Sequence, residues 1–120
     1  MTPRGFDYYA PTSLQEATSL LKRNEDSKVL AGGQSLVAMM KLRLASPAVI
    51  VDITKLKDIS YIKEDKTGAI RIGALTTHDT VENSDLLKKK YRVLSEAATK
   101  IGDQQIRNRG TIGGSICHAD

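Results

Sequence analysis

Two loops that each contain a pair of glycines constrain this chain more than any other feature of its sequence. The first consists of Ala31, Gly32, Gly33, Gln34, Ser35 and Leu36, and the second of Thr111, Ile112, Gly113, Gly114 and Ser115. Because glycine tolerates positive φ, paired glycines let consecutive backbone N–H groups turn toward one oxyanion, and a following helix adds further unpaired amides. Two such loops in a chain of 120 residues predict a ligand with two phosphates, such as a dinucleotide cofactor.

These loops, called below the first and the second glycine loop, match neither of the two common phosphate-binding patterns. The chain contains no G-x-x-x-x-G-K-[ST] run of a Walker triphosphate loop and no G-x-G-x-x-G fingerprint of a Rossmann fold. A diphosphate would therefore be held by a different arrangement of amides. Locally, a tight strand-to-helix turn with Ser35 as its N-cap explains the first loop equally well.

The apolar pattern of the first half predicts a small parallel β-α-β layer. Thr12 and Gln15 resemble a capping box in front of a helix. A short strand from 28 to 31 leads into the first glycine loop, and a short helix follows from 35 to about 42. The continuous apolar run from 48 to 53 is typical of a buried parallel strand, so residues 1–56 are expected to form a first subdomain.

The second half has a different pattern, which predicts an antiparallel α+β subdomain over residues 57–120. Segments 59–63 and 69–74 alternate apolar with polar residues around a turn, which indicates a hairpin. Thr77 is expected to cap a short helix, a longer helix is expected from 91 to 101, and a short strand from 115 to 118. The fold class expected from the whole pattern is α/β (α+β).

Composition excludes several classes of protein. No apolar run approaches the ~20 residues of a membrane helix, and no signal peptide is apparent, so a cytoplasmic protein without membrane contact is expected. The net charge of +4 and the run Lys88–Lys90 are better explained by a solvated helix end than by nucleic-acid binding, since aromatic residues are scarce. Two isolated histidines and one cysteine, without ligand spacing, predict no metal site, and no catalytic residue is expected.

Several segments together resemble one known family. They are the opening Phe6–Ala17, the first glycine loop, Val51-Asp52-Ile53, the run Ile72–His78, and above all Gln105-Ile106-Arg107-Asn108-Arg109-Gly110 followed by the second glycine loop. On these residues the chain is identified as similar to the FAD-binding medium subunits of molybdenum hydroxylases. This group includes carbon monoxide dehydrogenase, 4-hydroxybenzoyl-CoA reductase and xanthine dehydrogenase.

The resemblance implies a fold, a cofactor and a role. The fold would be the FAD-binding domain of the PCMH or vanillyl-alcohol-oxidase type, and FAD would pass electrons from iron–sulfur clusters to an acceptor. Expected partners are a molybdopterin-containing large subunit and a two-iron-two-sulfur small subunit. The implied contacts of FAD are both glycine loops and the hydroxyl residues after the hairpin: Ala31, Gly32, Gly33, Gln34, Ser35, Leu36, Thr76, Thr77, Thr111, Ile112, Gly113, Gly114 and Ser115.

Family members are more than twice as long as this chain, so a subunit truncated on its C-terminal side is expected, with 57–120 an incomplete second subdomain. A separate chain that completes the flavin domain, and an oligomer, are expected because a strand at 115–117 would present an unpaired edge. Two alternatives stay open: a flavin-free structural or interaction remnant of the subunit, and a stand-alone module that binds a nucleotide or phosphate. Arg107 and Arg109 could either neutralise phosphate or form ordinary ion pairs.

Overall fold

A three-stranded parallel sheet forms the centre of the first of two units, Met1–Lys57. The computed structural model describes all 120 residues. The strands are β1 (Asp7–Tyr9), β2 (Ser27–Leu30) and β3 (Val49–Asp52), in the order β1-β3-β2. Because β3 pairs on both sides, it is buried along its whole length, which explains its nearly uninterrupted apolar sequence. The predicted parallel β-α-β layer is confirmed.

Two helices accompany this sheet, α1 (Leu14–Arg23) and α2 (Leu36–Lys41). The cap of α1 is Ser13, whose hydroxyl accepts from the Glu16 N–H, while the Glu16 carboxylate accepts from the Thr12 N–H. The capping box therefore lies one residue later than predicted, because only Ser13 has a carboxylate three positions on. The helix buries Ala17 and Leu20.

The second unit, Asp58–Asp120, begins with the predicted antiparallel hairpin of β4 (Ile62–Glu64) and β5 (Ile70–Ile72). Five short helices follow: α3 (His78–Glu82), α4 (Asp85–Lys90), α5 (Arg92–Ala98), α6 (Gln104–Arg107) and α7 (Ile112–His118). The core of this unit is formed where helices meet the hairpin, by Val81, Leu87 and Ala98 with Ile62, Ile70 and Ile72 around them. None of the helices in the chain has the length and apolar character that crossing a membrane requires.

Two predicted elements of the second unit differ from the structure. The helix expected from 91 to 101 ends at Ala98, and Gly102 lies in the turn beyond it at φ +50°. Residues 115–118 are the end of α7 and not a strand, because the Thr111 hydroxyl accepts from the Gly114 N–H and begins a helix there. The unpaired strand edge expected at 115–117 is therefore absent, and with it the reason given for self-association.

The side chain of Arg107 has a structural role, since it connects α6 to α3 and to the turn after α5. Its Nε donates to Glu82 Oε2 at 3.1 Å, and its Nη1 donates to the carbonyl oxygens of Thr99, Ile101 and Gly102 at 3.4, 3.2 and 3.1 Å. The Arg107 and Glu82 side chains are only 14% and 20% exposed. The guanidinium thus satisfies the carbonyls of the turn that follows α5 and is not available to a phosphate.

Replacing Arg107 with methionine is expected to lower the free energy of unfolding by about 2–3 kcal/mol. The substitution keeps the apolar stem but leaves the largely buried Glu82 carboxylate and the turn carbonyls without their donor. Urea unfolding followed by circular dichroism measures the loss. Arg109→Met is the matched control, since Arg109 is exposed and makes no side-chain hydrogen bond within the chain. A loss of equal size in that variant would contradict the structural role assigned to Arg107.

Candidate functional site

The first glycine loop connects β2 to α2 through a backbone that requires glycine at one position. Gly33 has φ +78°, in the left-handed region. A Cβ placed there would lie 3.0 Å from Val37 Cγ2 and 3.3 Å from Leu30 Cδ1. Both the conformation and the space therefore favour glycine over any other residue.

The amides of this loop have no partners within the chain. From Ala31 to Leu36, no backbone N–H donates to a backbone or side-chain acceptor, although the Gly33 and Ser35 carbonyls accept from Val37 and Met39. Ser35 stands at the N-cap position of α2, but it has helical φ and ψ and its hydroxyl makes no capping bond. Consecutive unpaired donors beside an uncommitted hydroxyl form an arrangement that an oxyanion ligand can satisfy.

The second glycine loop differs from the first, because most of its amides are already bonded. Ile112 and Gly113 donate to the carbonyls of Thr76 and Ala74, each at 2.9 Å. The Gly114 amide donates to the Thr111 hydroxyl at 3.1 Å. A Cβ at Gly113 would lie 2.7 Å from the Ala74 carbonyl oxygen, so this glycine permits a close approach of two backbones.

Thr76 and Thr77, the two threonines predicted near the cofactor, belong to the segment after the hairpin to which the second glycine loop is hydrogen-bonded. Thr76 is fully buried, and its hydroxyl donates to the Tyr61 carbonyl at 3.0 Å and accepts from the Tyr61 N–H at 3.1 Å. The Thr77 hydroxyl accepts from the Thr80 N–H and caps α3. Thr77 also forms an antiparallel bridge with Thr111. Both hydroxyls thus have structural partners.

His78 is the one buried imidazole of the chain. It is 7% exposed, its backbone N–H donates to the Gly110 carbonyl, and a Cβ at Gly110 would lie 2.9 Å from His78 Cδ2. Burial lowers the pKa of His78. His118 and Cys117 are exposed, and no cluster of histidine, cysteine and carboxylate side chains could hold a metal ion.

The free energy of unfolding is expected to fall as the pH is lowered from about 7.5 to about 5.5. Because the pKa of His78 is lower in the folded chain than in the unfolded chain, the unfolded chain binds more protons in this range. Urea titrations at both pH values measure the slope. His78→Phe should remove most of it, while the exposed His118→Gln should retain it; the reverse pattern would contradict the assignment to His78.

Sequence reasoning missed a hydrogen-bonded group at the carboxyl end of β3. Asp52 is buried; its Oδ1 accepts from the N–H and hydroxyl of Thr54 at 2.8 and 2.6 Å, and its Oδ2 accepts from the Tyr8 hydroxyl. Burial alone would raise the pKa of Asp52, but these hydrogen bonds and the nearby Lys55 hold it below its usual value. The sequence feature that could have indicated this group is the aspartate at the end of an apolar strand.

Comparison with known proteins identifies the class that the fold and these loops define. Residues 4–120 match the family described as the FAD binding domain in molybdopterin dehydrogenase, and the chain belongs to that family. It is 45% identical to the glyceraldehyde dehydrogenase medium chain of Sulfolobus acidocaldarius, over 100% of this chain and 42% of that protein. It is 44% identical to the carbon monoxide dehydrogenase medium chain of Hydrogenophaga pseudoflava, over 98% and 41%.

Solved structures show the same relationship. Carbon monoxide dehydrogenase from Hydrogenophaga pseudoflava superposes with a TM-score of 0.96 at 44% identity, over 100% of this chain and 42% of that chain. Quinoline 2-oxidoreductase from Pseudomonas putida 86 gives 0.95 at 35% identity, with the same coverage. The predicted family, fold class and FAD cofactor are confirmed, and the chain spans 42% of the length of these solved chains.

Proposed function

We propose that this chain is the FAD-binding part of an electron-transfer subunit in a molybdenum hydroxylase of the carbon monoxide dehydrogenase type. The observation that carries the proposal is the run of unpaired backbone amides from Ala31 to Leu36, next to the uncommitted hydroxyl of Ser35. Family membership supplies the identity of the cofactor, and the loop supplies donors suited to its diphosphate.

The residues of the first glycine loop fit a diphosphate. Gly33, in its left-handed conformation, turns the chain so that the amides on either side stay free of intrachain bonds. Ser35 adds a hydroxyl donor, and Leu30 and Val37 leave no room for a side chain at position 33. Bound FAD supplies the redox chemistry, and the role of these residues is to bind and orient it.

We propose that the second glycine loop also contacts FAD, through fewer groups. Its exposed members are Gly114, which lacks a side chain, and Ser115, whose hydroxyl makes no hydrogen bond within the chain. Gly113, Thr76 and Thr77 support this contact indirectly, since their polar groups are bonded within the unit. Residues 1–56 and 57–120 then serve as a first and a second FAD-binding subdomain.

The partners proposed for the whole protein follow from the names of its relatives. Several of them are medium chains or medium subunits, which are parts of larger assemblies. We propose a molybdopterin-containing large subunit as the source of electrons and a two-iron-two-sulfur small subunit as the relay to FAD. A cytoplasmic location and an oligomeric state stay predictions.

Titration of the purified chain with FAD, followed by quenching of flavin fluorescence, tests the proposal. Saturable binding, with competition by ADP and weaker binding of FMN, is expected because the proposed donors engage the diphosphate. Binding of a mononucleotide such as AMP as tightly as FAD, with no preference for the flavin, would indicate a stand-alone nucleotide or phosphate module. Absence of binding at high FAD concentration would mean that these residues form at most half of the site, or belong to a flavin-free remnant of the subunit.

A further inference from the structure

The Tyr8–Asp52 hydrogen bond is not needed to hold the turn in which Asp52 lies. Asp52 Oδ1 already fixes the turn after β3 by accepting twice from Thr54, its neighbour two positions on. Oδ2 instead accepts from a tyrosine 44 positions away in sequence, on β1. Tyr8 is 54% exposed, so water could bond its hydroxyl at little cost. The need to satisfy a buried hydroxyl therefore does not explain the hydrogen bond from Tyr8 to Asp52.

The Asp52 end of this hydrogen bond is connected to the first glycine loop. Asp52 is the register partner of Leu30, the last residue of β2, and the next residue along the chain opens the loop. The Leu30 carbonyl in turn accepts from the Ile53 N–H at 2.9 Å. The hydrogen bonds that hold Asp52 at the end of β3 therefore also help to fix Leu30, the end of β2 from which the loop begins.

Tyr8 is also related to the first glycine loop through an apolar cleft. It lines an apolar cleft of about 130 Å³ together with Leu30 and Val37, the two side chains that a Cβ at Gly33 would meet. Because Leu30 and Val37 border both this cleft and Gly33, a tilt of the Tyr8 ring would change the packing next to the loop.

We infer that Tyr8 is a positioning residue for FAD: through its hydrogen bond to Asp52 it holds the wall of this cleft and thereby the conformation of the first glycine loop. The inference rests on the proposed function, because it assigns Tyr8 an effect on affinity for FAD. Tyr8 acts through Asp52 and Leu30 and donates nothing to the cofactor itself.

Tyr8→Phe tests this inference because it removes the hydroxyl and keeps the ring. The dissociation constant for FAD should rise about tenfold, the change expected when one displaced amide of the loop loses its hydrogen bond to the charged diphosphate. The melting temperature should fall by about 3–6 °C, because the buried Asp52 carboxylate loses one of its three donors while Thr54 keeps the other two in place. Tyr9→Phe is the matched control, since Tyr9 is the next residue of β1, is 43% exposed and makes no side-chain hydrogen bond.

Asp52→Asn distinguishes positioning from charge. Asparagine can still accept from Thr54 and can donate to the Tyr8 oxygen, so affinity for FAD should stay within about threefold of the wild-type chain. The double variant Tyr8→Phe/Asp52→Asn should be as weak as Tyr8→Phe. Equal affinities of Tyr8→Phe and Tyr9→Phe, failure of Tyr8→Phe to fold, or an Asp52→Asn variant as weak as Tyr8→Phe would each overturn the inference.

A second measurement needs no FAD and separates this inference from the proposed function. In ¹⁵N-labelled chain without ligand, the amide signals of Gly33 and Ser35 should shift in Tyr8→Phe and stay in place in Tyr9→Phe. Unmoved signals would overturn the positioning role even if FAD binds. Shifted signals in a chain that binds no FAD would support the coupling of Tyr8 to the loop through Asp52 and count against the proposed function alone.

Discussion

Gly33→Ala is expected to lower the affinity for FAD about a hundredfold. Alanine at φ +78° is strained by about 1–2 kcal/mol, and its Cβ would press on Val37 and Leu30 at 3.0 and 3.3 Å. The loop can relieve this strain only by changing its backbone, which turns some of the free amides away from the diphosphate. Each amide lost as a partner of a charged group costs about 1.5–3 kcal/mol of binding free energy. Fluorescence titration with FAD measures the change.

Gly68→Ala is the matched control for this prediction. Gly68 also has positive φ, at +86°, so alanine is strained there too. It lies in the exposed hairpin turn, where a Cβ would meet only Glu64 Oε1 at 3.8 Å. The control should lose about 1–2 kcal/mol of stability and keep its affinity for FAD. If both variants bind FAD equally, the first glycine loop does not bind the diphosphate.

Gly113→Ala is expected to lower the free energy of unfolding by about 2–3 kcal/mol. Its Cβ would lie 2.7 Å from the Ala74 carbonyl oxygen and 2.8 Å from the Ala74 Cβ, both fixed by the backbone. Relief requires separating the two segments, which breaks the hydrogen bond from the Gly113 amide to Ala74 and the bridge between Thr77 and Thr111. Urea unfolding measures the loss.

The adjacent Gly114→Ala provides the comparison. There a Cβ would meet only the Thr111 hydroxyl, at 2.9 Å. Weakening of that cap, about 1 kcal/mol, is offset by the similar gain in helix propensity of alanine over glycine. Stability should therefore change by less than about 0.5 kcal/mol, while FAD affinity reports whether position 114 faces the cofactor. Equal destabilisation by both variants would contradict the packing role assigned to Gly113.

Local sequence signals predicted those parts of the fold that depend on neighbours in sequence. The apolar run at 48–53 indicated a buried parallel strand, and the turn residues between 64 and 69 indicated the hairpin; both are observed. The strand predicted at 115–118 was wrong, because Ile116 and Cys117 favour a strand only when the cap at Thr111 is ignored. The amides of the first glycine loop make no hydrogen bond within the chain, and the anion site expected from its glycines stays a prediction.

The sequence by itself determined the family, the parallel β-α-β layer of the first half, the hairpin and the two glycine loops, because these follow from periodicity, turn residues and a long motif. Only the tertiary structure decided what each glycine does. Gly33 leaves amides unbonded, whereas Gly113 gives its amide to Ala74, a residue 39 positions earlier. The roles of Arg107 and Tyr8 likewise depend on the tertiary structure, because their hydrogen-bond partners, Glu82 and Asp52, lie far away in sequence. Hydrogen bonds between residues distant in sequence leave no local pattern, so the donors free for a ligand can be identified only in the folded chain.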